Sequence, residues 1–201
     1  DYTLKPYVEG NTYQNGQWDF CTGDFKLTPS VLAQPVTTAP IGVTGIQVVQ
    51  SGGNYYVFQA SATGLNRLYL GDNPAGAPAF PVPVILPNGG TSFSALTDFK
   101  IIKEGNNWLA LCIFLNGEGM LRLNFGPDIT NTTPAYAILN LPGFLAKPRG
   151  LDIFEDKGNK YALIANQTTG ALTLLNFGPT YRNIPYPLNI EVPSAVNLYK
   201  V

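Results

Sequence analysis

The apolar and polar positions of this chain repeat three times. An extended apolar run is followed by a Gly-Asn turn and then by a run led by an aromatic residue. The aromatic residues that lead these runs are Tyr55, Trp108 and Tyr161, and they are evenly spaced along the chain. Because internal repeats at a fixed spacing are typical of stacked repeat folds, the spacing predicts a repeated structural unit.

A second shared element follows each turn. Residues 121–127 (Leu-Arg-Leu-Asn-Phe-Gly-Pro) match residues 172–179 (Leu-Thr-Leu-Leu-Asn-Phe-Gly-Pro), and residues 68–71 (Leu-Tyr-Leu-Gly) are a weaker copy. A proline lies a short and nearly constant distance after the key apolar residue of each copy. Trp18-Asp19-Phe20 is a fourth copy, in which Pro29 follows Phe20. The signature residues of this element are Phe20, Phe125, Phe177, Gly126 and Gly178.

Each unit is predicted to contain four short strands and no long helix. The runs are rich in β-branched and aromatic residues, their turns contain Gly, Asn and Thr, and no segment shows a sustained 3.6-residue periodicity. Four strands in about 53 residues are typical of a β-propeller blade. The sequence therefore predicts an all-β, β-propeller-like fold, with a β-sandwich of duplicated hairpins as the alternative.

The repeat also divides the chain. We expect a linker or strand remnant at 1–16 and a propeller-like domain at 17–201. Within the domain we expect a half blade at 17–42, repeats at 43–92, 93–146 and 147–193, and a final strand at 194–201. The two ends could share one blade of a small ring, but the ragged ends favour a fragment of a larger chain.

Composition excludes several classes of function. The 201 residues carry a formal net charge of −1, only 12% are charged, and there is no histidine. This excludes a Ser-His-Asp triad and an imidazole metal site, and the chain lacks the basic patch of a nucleic-acid binder. No apolar run approaches the roughly 20 residues of a membrane helix. We predict no cofactor and no metal ligand, while Cys21 and Cys112 can be either bridged or separate thiols.

Several segments of the chain resemble a known repeat. They are residues 121–126 and 129–134 (Ile-Thr-Asn-Thr-Thr-Pro), with 139–143, 148–151, 158–161 and the lead-in 18–25. The pattern is similar to repeats of the large gliding-motility adhesins and related surface proteins that Bacteroidetes export by the type IX secretion system. It spans about residues 17–193 and is degraded in the first unit, where Leu70-Gly71-Asp72 replaces Asn-Phe-Gly-Pro.

The resemblance implies a non-enzymatic module at the cell surface or outside the cell, which mediates adhesion or protein assembly. Its partners would be other surface or secretion-machinery proteins, or extracellular glycans. The alternatives are a carbohydrate-binding or carbohydrate-hydrolysing propeller and a structural spacer in a very long surface protein. The hydrolase alternative requires two unpaired, inward-facing carboxylates that occupy non-equivalent repeat positions and share one cleft. The candidates are Asp19, Asp24, Asp98, Glu118 and Asp152.

Two aspartates and three tyrosines carry the predictions for individual side chains. Asp98 and Asp152 are separated by close to one repeat and are predicted to be equivalent structural residues of two units, as are the signature aromatic residues. Tyr136, Tyr181 and Tyr186 fall in predicted loops or edge strands and are the candidates for a contact surface. No catalytic residue is assigned.

Overall fold

A computed structural model describes residues 42–74, 79, 81–86, 95–117 and 119–190. These residues form three four-stranded antiparallel sheets, here called blades 1, 2 and 3. Blade 1 contains β1 (Val43–Ser51), β2 (Asn54–Ser61), β3 (Gly64–Gly71) and β4 (Val82–Val84); blade 2 contains β5 (Leu96–Glu104), β6 (Asn107–Phe114), β7 (Gly119–Gly126) and β8 (Ala135–Asn140); blade 3 contains β9 (Pro148–Asp156), β10 (Asn159–Asn166), β11 (Leu172–Gly178) and β12 (Tyr186–Ile190). The prediction of an all-β fold with propeller-like blades is confirmed.

Each blade is a meander in which neighbouring strands in the chain are neighbours in the sheet. The first hairpins close at the pairs Ser51↔Asn54, Glu104↔Asn107 and Asp156↔Asn159. By these pairs, the step from blade 2 to blade 3 is one residue shorter than the step from blade 1 to blade 2. This register decides which residues of the three blades are equivalent.

The blades stack through their first strands. β1 contacts β5, and β5 contacts β9, so the first strands of successive blades lie side by side. The Gln47 side chain spans the first of these contacts: its amide donates to the carbonyl of Ile101 at 2.9 Å and accepts from the N–H of Ile101 at 2.7 Å. Across the second contact, the Thr97 hydroxyl donates to the carbonyl of Pro148 at 2.9 Å. Polar side chains therefore fix how successive first strands are aligned.

Apolar residues fill the space between successive blades. The core between blades 1 and 2 includes Phe58 and Leu65 from blade 1 and Phe99 and Phe125 from blade 2. The core between blades 2 and 3 is built in the same way, and its members include Leu111, Met120, Leu151, Ile164 and Phe177. Because side chains alternate across a strand, blade 2 contributes one face to each core. A single blade has no interior of its own, so its stability depends on its neighbours.

Several sequence predictions fall outside the described residues. They are the segments 1–16 and 194–201, nearly all of the half blade at 17–42, and the signature residue Phe20. The boundaries drawn between repeats stay predictions. In the part of the chain that the structure describes, no helix has the length and apolar character needed to cross a membrane.

Candidate functional site

A small open cleft lies where the first strands of blades 2 and 3 meet. It has a volume of about 150 Å³. Asp98 and Lys100 from β5 and Asp152 from β9 supply its charged lining, and Leu163, Ala165 and Leu172 of blade 3 contribute apolar lining. Ligand sites commonly enclose about 300–1,000 Å³, so this cleft has room for only a small group.

Asp98 joins the two blades that form the cleft. One carboxylate oxygen accepts a hydrogen bond from the backbone N–H of Phe99 at 2.8 Å. The other accepts one from the backbone N–H of Leu151, in the next blade, at 2.9 Å. Asp98 is thereby held firmly in the cleft, and it fixes the first strand of blade 3 against that of blade 2.

Asp152 is the more accessible carboxylate. Its Oδ1 lies 3.0 Å from Nζ of Lys100, and its side chain is 67% exposed. The hydrogen bond from Lys100 holds the pKa of Asp152 below its ordinary value, against a smaller opposing effect of burial. Asp152 is therefore ionised at neutral pH, which suits a base or a charge-stabilising group and not a proton donor.

The register corrects the predicted equivalence of the two aspartates. Asp98 pairs with Ile113 and Asp152 pairs with Leu163, so Asp152 occupies the position of Lys100. The prediction is wrong because it took the number of residues between Asp98 and Asp152 as the length of one repeat. The first hairpins of blades 2 and 3 are two residues closer together in the chain than these aspartates are. The two carboxylates are therefore not copies of one structural position.

The same shift corrects the aromatic series. Tyr55 and Trp108 pair with Gly71 and Gly126, and the residue that pairs with the corresponding Gly178 is Lys160. Tyr161 lies one residue further on, and a shift of one residue places a side chain on the opposite face of a strand. Trp108 accordingly packs in the core between blades 1 and 2, whereas the ring of Tyr161 stacks on Phe154 of the adjacent strand, 5.0 Å between centroids.

The other signature residues have packing or turn positions. Phe125 and Phe177 are buried in the two cores between blades. Gly126 and Gly178 end β7 and β11 with φ of 72° and 68°, a region that favours glycine. Neither the aromatic rings nor these glycines line the cleft.

The three tyrosines predicted as a contact surface have different environments. Tyr136 on β8 and Tyr186 on β12 are exposed, so a contact role for them stays a prediction. Tyr181 is only 5% exposed, and its ring packs edge-on against Phe177 with 5.3 Å between centroids. Burial raises the pKa of Tyr181 to about 12. Tyr181 is unavailable for surface contact because its ring fills the core between blades 2 and 3.

The cleft contains one charged residue that sequence reasoning missed, Lys100. Its signal was a lysine inside the otherwise apolar run 99–102, on the same face of the strand as the apolar Ile102. Of the carboxylates proposed for a hydrolase, the structure brings Asp98 and Asp152 together, while Asp19, Asp24 and Glu118 lie outside the described residues. The two carboxylates are not unpaired as the hypothesis required, because Asp98 accepts two backbone N–H groups and Asp152 is paired with Lys100.

Thiol and metal chemistry have little support in the described structure. Cys112 is a buried free thiol, and burial raises its pKa; Cys21 lies outside the described residues. Among the residues described, no group of three or more His, Cys, Asp or Glu side chains is placed to hold a metal ion.

Comparison with known proteins identifies fold relatives only. No protein-family model and no curated protein matches this chain. Among solved structures, the Bacteroides ovatus protein named xyloglucan PUL GH43B matches with a TM-score of 0.52 and 16% identity, covering 73% of this chain and 29% of that one. The Podospora anserina α-L-arabinofuranosidase, solved in complex with cellotriose, matches with a TM-score of 0.51 and 16% identity, covering 74% and 51%. The Coprinopsis cinerea GH62 α-L-arabinofuranosidase catalytic domain matches with a TM-score of 0.50 and 17% identity, covering 73% and 50%.

These similarities define the class of fold. The relatives are five-bladed β-propellers of glycoside hydrolase families 43 and 62, and this chain spans between about a third and a half of their length. The class that the fold defines is therefore the β-propeller.

The matches also correct two predictions, the non-enzymatic adhesion or assembly module and the absence of enzymatic activity. The solved structures that share this fold are glycoside hydrolases, and none of those named is an adhesin. The resemblance to surface-protein repeats and the extracellular location stay predictions.

Proposed function

We propose that this chain is a carbohydrate-hydrolysing β-propeller in which the cleft between the first strands of blades 2 and 3 receives one sugar unit of a longer substrate. The observation that carries the proposal is the pair of carboxylates, Asp98 and Asp152, in one cleft. They come from different blades and from different positions of the repeat. Glycoside hydrolases commonly use two carboxyl groups on either side of the scissile bond.

The residues of the cleft suit different tasks in this proposal. Asp152 is ionised and accessible, so it would take the proton of the attacking water as the water oxygen bonds to the sugar carbon. The leaving oxygen would take its proton from solvent water, which the open cleft admits. Asp98 is fixed by two backbone N–H groups and would accept sugar hydroxyls. Leu163 and Leu172 offer an apolar surface to the C–H groups of a sugar.

The relatives suggest which sugars to test. Two are named as α-L-arabinofuranosidases, and one is named for xyloglucan. This chain spans only part of those proteins, so an activity of the whole protein on such substrates belongs to the proposal. A location outside the cell also belongs to it.

The test compares two Asp→Asn variants on the same strand. Asp152 lies in the cleft, whereas Asp156 is exposed at the far end of β9 and does not line the cleft. On aryl α-L-arabinofuranosides and xyloglucan oligosaccharides, we expect Asp152→Asn to lower kcat/KM by about 100-fold or more. Asp156→Asn should retain the activity of the unaltered chain.

Saccharide binding is measured alongside by calorimetry, with the fold of each variant checked by circular dichroism. If the unaltered chain neither binds nor hydrolyses any of these saccharides, the proposal fails. It also fails if both variants keep full activity, because the cleft would then play no part.

A further inference from the structure

One position of the first strand is polar in all three blades. By the strand pairs it is occupied by Gln47 in blade 1, Lys100 in blade 2 and Asp152 in blade 3. The side chains of Gln47 and Lys100 each reach the first strand of the following blade. The position therefore lies where successive blades meet, and a polar side chain there can align them.

In blade 1 this position ties side chain to backbone. The amide of Gln47 donates to the carbonyl of Ile101 and accepts from its N–H, so one uncharged group satisfies two backbone groups of the next blade. Gln47 does not line the cleft. It shows what the position contributes when its task is the alignment of two strands.

Lys100 makes a different contact from the same position. Its Nζ lies 3.0 Å from Oδ1 of Asp152, so it meets a charged side chain of the following blade. An ammonium group donates but does not accept, so Lys100 cannot reproduce the two-way contact that Gln47 makes with the backbone. Both members of the ion pair line the cleft, and their side chains are 31% and 67% exposed. Alignment of strands requires neither the charge nor this position in the cleft.

We propose that Lys100 is a positioning residue for Asp152: its ammonium group holds the carboxylate in place and ionised, so that the carboxylate takes the proton of the attacking water. The role rests on the proposed hydrolysis. A protonated amine has no lone pair with which to take a proton, so Lys100 acts through Asp152 and not in its place.

The charges around Asp152 leave this task to Lys100. Asp98 shares the cleft, and a second negative charge there makes a compensating cation more important for Asp152. β10 places the apolar Leu163 opposite Asp152, and β6, which also contacts β9, has no charged residue. Tyr181, in the loop after β11, is neutral at acid and neutral pH, because burial raises its pKa to about 12.

The remaining ionisable residues of the strands around Asp152 lie outside the cleft. They are Lys103 and Glu104 on β5, Lys160 on β10, and Arg149, Glu155 and Asp156 on β9. Among the described residues that line the cleft, Lys100 is the one cation.

Loss of Lys100 should therefore make Asp152 harder to ionise. The hydrogen bond from Lys100 lowers the pKa of Asp152, so the carboxylate stays ionised to a lower pH than an ordinary aspartate does. Without the cation, Asp152 gains its proton at a higher pH as the solution is acidified. Activity that needs the ionised carboxylate is then lost at a higher pH.

The experiment measures kcat/KM against pH on aryl α-L-arabinofuranosides and xyloglucan oligosaccharides. Lys100→Gln removes the charge but installs the residue that blade 1 uses for alignment, and its acid limb should move to higher pH. Lys100→Arg keeps a cation and should return the acid limb toward that of the unaltered chain. The matched control is Lys103→Gln, which removes the same charge from an exposed position beside Trp108 on the same strand and should leave the profile unchanged.

A second readout does not require hydrolysis. NMR spectroscopy of labelled aspartate carboxyl carbons follows the ionisation of Asp152, whose signal is assigned by its loss in Asp152→Asn. This signal should titrate at a higher pH in Lys100→Gln than in the unaltered chain, and at the same pH in Lys103→Gln. Urea denaturation of each variant measures whether the strands remain aligned and the fold is kept.

The proposal is overturned if Asp152 titrates at the same pH with and without Lys100, or if Lys100→Gln and Lys103→Gln shift the acid limb equally. It is also overturned if Lys100→Gln unfolds at a lower urea concentration while its pH profile is unchanged, since Lys100 would then only tie two blades together. Absence of hydrolysis by the unaltered chain would instead refute the proposed function, and the NMR titration would still decide whether Lys100 holds Asp152 ionised.

Discussion

Arg67 and Arg122 occupy the same position in blades 1 and 2, and each reaches into the following blade. Arg67 donates to the carbonyl of Ile129 at 3.2 Å. Arg122 donates to the carbonyls of Tyr181 and Asn183 at 2.7 and 2.8 Å. In blade 3 the position is taken by Leu174. Single arginines thus tie the loop after the third strand of one blade to the third strand of the blade before it.

Replacing Arg122 with methionine should destabilise the protein. The change keeps much of the apolar stem but leaves two backbone carbonyls without their donor, at an expected loss of about 1.5–3 kcal/mol in the free energy of unfolding. Urea denaturation measures this loss. Arg149→Met is the control, because Arg149 bonds to the exposed side chain of Gln167, and it should cost about 0.5 kcal/mol or less. Equal losses in both variants would contradict the tie between blades.

At the scale of strands and turns, two glycines of β7 illustrate different constraints. Gly126 has a φ of 72°, and a Cβ added there would meet no atom within 4 Å. A Cβ added at Gly119 would lie 2.7 Å from the carbonyl oxygen of Leu139 on β8. Gly126 is therefore required by backbone conformation, whereas Gly119 is required by the close approach of a neighbouring strand.

Alanine at these two positions should separate the two effects. Gly126→Ala should cost about 1 kcal/mol, from the conformation alone. Gly119→Ala should cost more, about 1–3 kcal/mol beyond the conformational effect, because β7 and β8 must move apart. Thermal and urea denaturation of the two variants measure this difference. A smaller loss for Gly119→Ala than for Gly126→Ala would show that β8 adjusts without cost.

At the scale of the whole molecule, blade 2 is the common member of both cores. Residues 108–114 of β6 are all buried, with side chains pointing alternately toward blade 1 and blade 3. The outer strand β12 has mostly exposed residues. Stability in a stack of repeats comes largely from the interfaces between neighbours, so blade 2 gains from two interfaces.

Hydrogen exchange should follow this arrangement. We expect the amides of β6 to be the slowest to exchange and those of β4 and β12 to be among the fastest, because local opening is easiest where few buried contacts hold a strand. Mass spectrometry of peptides from each strand measures this order. Slower exchange in β12 than in β6 would contradict the central role of blade 2.

Much of the fold follows from local pattern. The Gly-containing turns and the apolar runs beside them predict strands, and their recurrence predicts four-stranded blades. The placement of individual side chains was less predictable. Tyr161 matched Trp108 by its spacing in the sequence, yet the two side chains lie on opposite faces of their blades. The step from blade 2 to blade 3 is one residue shorter than the spacing of these aromatic residues, and a shift of one residue moves a side chain to the other face of a strand.

The sequence by itself determined the strands, the turns and the repeat, because these depend on residues close together in the chain. Only the tertiary structure decided that Tyr181 is buried and that Asp98, Lys100 and Asp152 share one cleft. Lys100 and Asp152 lie on different blades, and their 3.0 Å contact arises from the packing of β5 on β9. A repeat makes equivalent positions recognisable in sequence, but a site between blades joins positions that are not equivalent, and only the stacking brings them together.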